Sequence, residues 1–138
     1  MLDRAEPGHR AAGLVFDRQS RVMHIESTFL GLASYYASAH WAPGSMTPLW
    51  YCGMRHIPCR HKPAFGELPD PGPWEPGRLD PVRAVPFFDY FFVRSPPPGD
   101  LFGRYQHAME LVAHRGTWWL WRRRPGAPLS PLDQPYDD

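Results

Sequence analysis

The stretch Phe87 to Val93, FFDYFFV, constrains the fold of this chain more than any other, because six of its seven residues are apolar or aromatic. A run of that length with almost no polar alternation reads as a strand buried on both faces, as in a central parallel strand. Such a strand needs a neighbour on each side and a covering layer above and below. Asp89 then stands out, since a lone carboxylate within a buried strand is costly without a partner. It is expected at a strand end or edge, paired with an arginine or with backbone donors.

The rest of the chain supplies the neighbours. Leu2 to Glu6 reads as the last turn of a helix, stopped by Pro7-Gly8, and Ala11 to Phe16 (AAGLVF) as a short buried strand ended by Asp17-Arg18. Val22 to Ile25 extends or follows that strand. Ser27 or Thr28 is a suitable N-cap for a helix reaching about His40, with Phe29, Leu32, Ala33, Tyr36 and Ala37 on one face, and Pro43-Gly44 ends it. Met46 to Met54, with Pro48 near its start, suits an edge strand that Ile57 to His61 continue past a bulge at Gly53. A second helix is expected from about Asp100 to Val112, with Leu101, Tyr105, Ala108 and Val112 on a shared face. Gly116 makes a tight turn into a final strand, Thr117 to Arg122. Alternation there puts Trp119 and Trp121 on one face and Trp118 and Leu120 on the other.

Eighteen prolines in 138 residues interrupt this order. Seven of them fall between positions 62 and 86, which reads as a surface excursion without regular structure, pinned by Phe65 and Trp74. The end of the chain, 124–138, is polar, proline-rich and aperiodic, and is expected to be disordered. The reading is one domain over 1–123, an α/β fold with a small sheet of about four strands and two helices.

Fifteen basic and fourteen acidic residues leave a formal charge of +1, which gives no general drive towards nucleic acid or an anionic surface. The basic and aromatic run from Trp118 to Arg124 is accounted for by a buried strand with a solvated end, so no nucleic-acid partner is expected. No apolar stretch approaches the ~20 residues of a membrane span, and Met1 to Arg10 carries no apolar signal-peptide core. Free-standing, such a chain is expected in the cytoplasm.

The sharpest local chemistry is Cys52, His56, Cys59 and His61, four borderline-soft ligand types within ten residues. Their C-x3-H-x2-C-x-H spacing lacks the C-x2-C knuckle of a zinc ribbon or finger. Three readings stay open: a metal site, a Cys52–Cys59 bridge, or two unlinked cysteines. No G-x-S-x-G elbow, phosphate-binding glycine loop or paired carboxylates are present, so no catalytic residue and no cofactor is read from the residues.

Several segments in order resemble the C-terminal soluble region of bacterial multi-pass membrane glycosyltransferases of the protein-mannosyltransferase and aminoarabinose-transferase type. They are GLVFDRQSRVM, then FLGLASYYASAHWAPG with its Tyr-Tyr pair, then MRHIPCRHKP, then WEP and FFDYFFVRSPP, and last MELVAHRGTWWLWRRR, together spanning about residues 11–124. The resemblance implies a non-catalytic extracytoplasmic domain, on the periplasmic face, of an enzyme that uses a lipid-linked sugar donor. Its partner would be the membrane-embedded portion of that enzyme, and its ligand a glycan or lipid-linked sugar. The family's catalytic carboxylate lies in a loop upstream of this region, so none is carried over. Tyr35, Trp74 and Asp89 are the ligand-binding candidates. Where Cys59 and His61 stand, the family has an apolar residue and an aromatic or basic one, which makes the Cys/His cluster a local variation.

Overall fold

The computed structural model describes residues 2–17, 76–95 and 99–127. Among these residues four strands make one mixed sheet: β1 (Ala11–Val15), β2 (Tyr90–Arg94), β3 (Met109–Arg115) and β4 (Trp118–Arg123), in the spatial order β1-β2-β4-β3. β2 lies between β1, to which it is parallel, and β4, to which it is antiparallel. The small α/β fold of about four strands read from the sequence is therefore the fold observed.

All five residues of β2 are buried, as a strand covered on both faces requires. On one face Phe91 and Val93 join Ala12, Leu14, Phe88, Phe102 and Tyr105; on the other Tyr90 and Phe92 meet Ala11 and Leu120. β4 alternates as expected: Trp119 and Trp121 pack on the first cluster, Trp118 and Leu120 on the second. Aromatic edges run through the first cluster, from Phe88 to Phe91 to Phe102 to Trp121, with centroids 5.9, 5.0 and 5.7 Å apart. These are edge-to-face spacings, favoured by the ring quadrupoles.

Three expectations are corrected. Prolines do not keep 62–86 free of regular structure, because a short 3-10 turn (Pro76–Arg78) and a helix α1 (Pro81–Phe87) form at its end. Asp80 caps α1, its carboxylate accepting from the Val82 N–H at 2.9 Å, and Pro81 takes the first helical position, where no donor is needed. α1 also takes Phe87 out of the expected strand, so β2 begins at Tyr90. Secondly, no helix runs from Asp100 to Val112: a 3-10 segment (Gly103–Ala108) gives way to β3. Met109 onward pairs with β4 through a two-residue turn, Gly116-Thr117, in which Gly116 adopts φ +58° as the first central residue of a hairpin. Val112 is the extra residue of a bulge between Leu111 and Ala113. Local 3.6-residue spacing in this stretch loses to cross-strand pairing. Thirdly, Arg124–Ala127, assigned from sequence to a disordered tail, form a turn bonded to the domain. The Arg124 N–H donates to the Ala108 carbonyl at 2.8 Å and the Ala127 N–H to the Arg124 carbonyl at 3.1 Å. Pro125 and Gly126 (φ +69°) fill the positions that a type II turn assigns to them.

The helix expected from Ser27 or Thr28 to His40, the strand at 46–54 with its continuation at 57–61, and residues 128–138 lie outside the described residues.

Candidate functional site

The start of β2, the approach to β1 and the end of β4 meet at one end of the sheet. Parallel pairing sets Ala11 opposite Tyr90, and antiparallel pairing sets Arg122 opposite Tyr90, so His9, Arg10, Asp89 and Arg123 are neighbours.

Asp89 joins the three segments with its main chain and its side chain alike. Its N–H donates to the Arg10 carbonyl at 2.9 Å, and its carbonyl accepts from the Arg123 N–H at 2.8 Å. Its carboxylate accepts from the Arg10 N–H at 3.1 Å through one oxygen and from the Arg123 guanidinium at 2.7 Å through the other. Arg123 also donates to the carbonyl of Pro86, which ties in the end of α1. His9 stands over the same carboxylate at 3.4 Å. Burial pushes the Asp89 carboxyl up. The Arg10 N–H, the hydrogen bond and charge of Arg123 and the charge of His9 outweigh that, and hold it below the ordinary carboxylate value of 3.8. The pairing with arginine and backbone donors expected of a strand-end aspartate is the arrangement found.

A second network lies on the other face of the strand ends. Arg122 donates to Glu110 at 2.7 Å and reaches Glu6 at 3.4 Å, and the Glu6 N–H donates to the Tyr90 hydroxyl at 3.2 Å. The hydrogen bond that Arg122 donates to Glu110 pushes the guanidinium further above its already high value. His9 connects the two networks, 3.6 Å from Glu6 and edge-on to the Tyr90 ring at 5.8 Å. Between them opens a cavity of about 270 Å³, lined by Glu6, His9, Asp89, Tyr90, Arg122 and Arg123 and by the turn at Arg124–Ala127.

Of the sequence candidates, the structure puts Asp89 in this cavity wall. Tyr35, Trp74 and the cluster of Cys52, His56, Cys59 and His61 lie outside the described residues. Glu6, His9 and Arg10 are not singled out from sequence, and Arg122–Arg124 figure there only as the solvated basic end of the final strand. The signal that could have found them is positional: His9-Arg10 precedes one strand as Asp89 precedes its parallel neighbour, and the arginines close the strand that ends there.

No family model, curated protein or solved structure matches the chain.

Proposed function

We propose that this chain is a non-catalytic domain of a membrane glycosyltransferase that uses a lipid-linked sugar donor, acting in acceptor or donor handling on the extracytoplasmic face. The reading rests on the ordered segments that resemble the C-terminal regions of such enzymes. One structural observation carries its non-catalytic part. Asp89, the acid in the Phe-Asp-Tyr segment, is fixed by Arg10 and Arg123 and held ionised, as suits a strand tie and not a proton donor. The cavity beside it, with Glu6, His9 and Asp89 in its wall, supports a role in holding a sugar.

The test is to locate the chain in its own cells with an antibody against it, after cross-linking in intact membranes. The expected result is recovery on the periplasmic face, either within a larger multi-pass polypeptide or cross-linked to a multi-pass glycosyltransferase identified by mass spectrometry. Recovery as a cytoplasmic protein with no such partner overturns the proposal. So does sugar transfer from a polyprenyl-phosphate donor by the purified 138-residue chain alone. About one equivalent of zinc in protein purified without chelator would instead favour a metal-binding module built on Cys52, His56, Cys59 and His61.

A further inference from the structure

We propose that the outer edge of β3 pairs with the same edge of a second copy of this chain, antiparallel and about a twofold axis between Val112 and Ala113. β3 ends the strand order β1-β2-β4-β3, and among the described residues no strand pairs with its far side. Such an edge is a row of open backbone donors and acceptors, which charges and bulges commonly blunt. β3 has both, but arranged so that the edge complements itself. Register gives the face of each side chain, because residues opposite one another across a ladder point the same way. Leu111 is opposite Trp121 and His114 opposite Trp119, on the side of the first cluster. Glu110 is opposite Arg122, itself opposite Tyr90, and Arg115 is opposite Trp118; both are on the side of the second cluster, against which Val112 and Ala113 also pack. From 110 to 115 the faces run second, first, second, second, first, second, the same in both directions. The bulge makes this symmetry: without its extra residue, Glu110 and Arg115 would point to opposite faces.

A twofold interface requires one patch to complement itself. Pairing about this axis sets Glu110 against Arg115 of the second copy, Leu111 against His114, and Val112 against Ala113, each pair on a shared face. Glu110 holds Arg122 through one oxygen, Oε1, which leaves the other for a second guanidinium. Arg115 is exposed, and among the described residues no carboxylate meets it. Leu111, 47% exposed, is the large apolar side chain left open among the described residues. Its counterpart is already rigid: the His114 ring stacks on Trp119 with centroids 4.3 Å apart, and its Nε2 meets the Gly116 carbonyl at 2.8 Å. Covering a fixed ring pair costs little side-chain entropy. Self-pairing therefore closes the edge, covers the leucine, gives Arg115 a carboxylate and joins two sheets into one.

The experiment is sedimentation equilibrium of the full chain in low salt over a wide concentration range, with hydrogen exchange measured at both extremes. A monomer–dimer equilibrium with a dissociation constant between about 10 µM and about 1 mM is expected, since one strand pair buries less than a standard interface. Protection should rise with concentration across 110–115 and stay constant in β1 and β2. R115E sets like charges against Glu110 and should weaken the dimer about tenfold, with circular dichroism unchanged. E110K should weaken it too, and an equimolar mixture of the two variants should restore association, because each charge then faces its opposite. If E110K does not fold, the R115E effect and the exchange map decide alone. A monomer up to about 1 mM overturns the proposal, as does a dimer indifferent to R115E or one protected elsewhere than β3. Two folded variants whose mixture stays monomeric also overturn it. So does protection of β3 that appears only when another protein is added, which would make the edge a docking site for that protein. Self-pairing does not depend on the sugar-handling role proposed above, so either can fail alone.

Discussion

At the start of β2, Asp89 and Arg123 pair at 2.7 Å with each side chain 26% exposed; at its end, Arg94 is 8% exposed and Asp17, its partner at 3.0 Å, is 47% exposed. At the first end the short acid is the hub, and its two oxygens serve donors from the approach to β1 and from β4. At the second end the long cation is enclosed and donates to both the carboxylate and the carbonyl of Asp17. The ladder continues past both ends, through Asp89 to Arg10 and Arg123, and through the Arg94 carbonyl to the Phe16 N–H and the Ser95 N–H to the Thr117 carbonyl. Removing a partner does not cost the same at the two ends. Loss of Asp89 leaves the Arg123 guanidinium with the Pro86 carbonyl alone and takes the side-chain acceptor from the Arg10 N–H. Loss of Arg94 returns an exposed carboxylate to water, and a buried cation costs desolvation while it is present.

The largest effect that follows is on Asp89→Ala, which should destabilise the domain by about 2–3 kcal/mol, the cost of unsatisfied donors in a partly buried network. Urea denaturation monitored by tryptophan fluorescence measures it. Arg94→Met keeps the apolar stem and should cost only about 1 kcal/mol. A larger loss for R94M than for D89A would break the comparison.

Acid should act through the Asp89 end. Because the folded carboxyl titrates below its unfolded value of 3.8, its contribution is fully present above that value. It is lost as pH falls through the lower folded value. Wild type should therefore weaken relative to D89N as pH drops below about 4 in denaturation series. Parallel curves for the two proteins would remove the charge from the account.

Glu110→Gln, which weakens the part-buried pair between β3 and β4, should cost about 0.5 kcal/mol and less in salt, because Arg122 keeps Glu6 as a partner. R124Q should leave stability unchanged, since no carboxylate among the described residues depends on Arg124. A measurable loss of stability in R124Q would make that arginine part of the frame.

The sequence pattern carried β1, β2 and β4 well because each is short and dominated by burial. Trp118 to Trp121 even showed which side chain faces which cluster. Reading Asp100 to Val112 as helix failed for a definite reason: Tyr105, Ala108 and Val112 satisfy a helical face, and only the presence of β4 across the Gly116 turn makes pairing the better use of the backbone from Met109 onward. Counting prolines as breakers failed at α1 because Asp80-Pro81 is also a helix-start signal, and position decides which meaning applies. For the site, Asp89 was legible because a charge in an apolar run demands a partner. Arg123 and Arg10 were not legible as that partner, since no local pattern says which strand end will meet which.

What the sequence by itself determined is a buried strand around Phe91, a final strand with two distinct faces, and an acid that must be neutralised. Those follow from apolar burial and from the cost of an unpaired charge, which are properties of residues and their immediate neighbours. The tertiary structure alone decided the strand order β1-β2-β4-β3, and with it that residues 6–10, 89–90 and 122–127 surround one cavity. Those segments are about 80 and 30 residues apart along the chain. They meet only because register brings the starts of two parallel strands to the end of an antiparallel third.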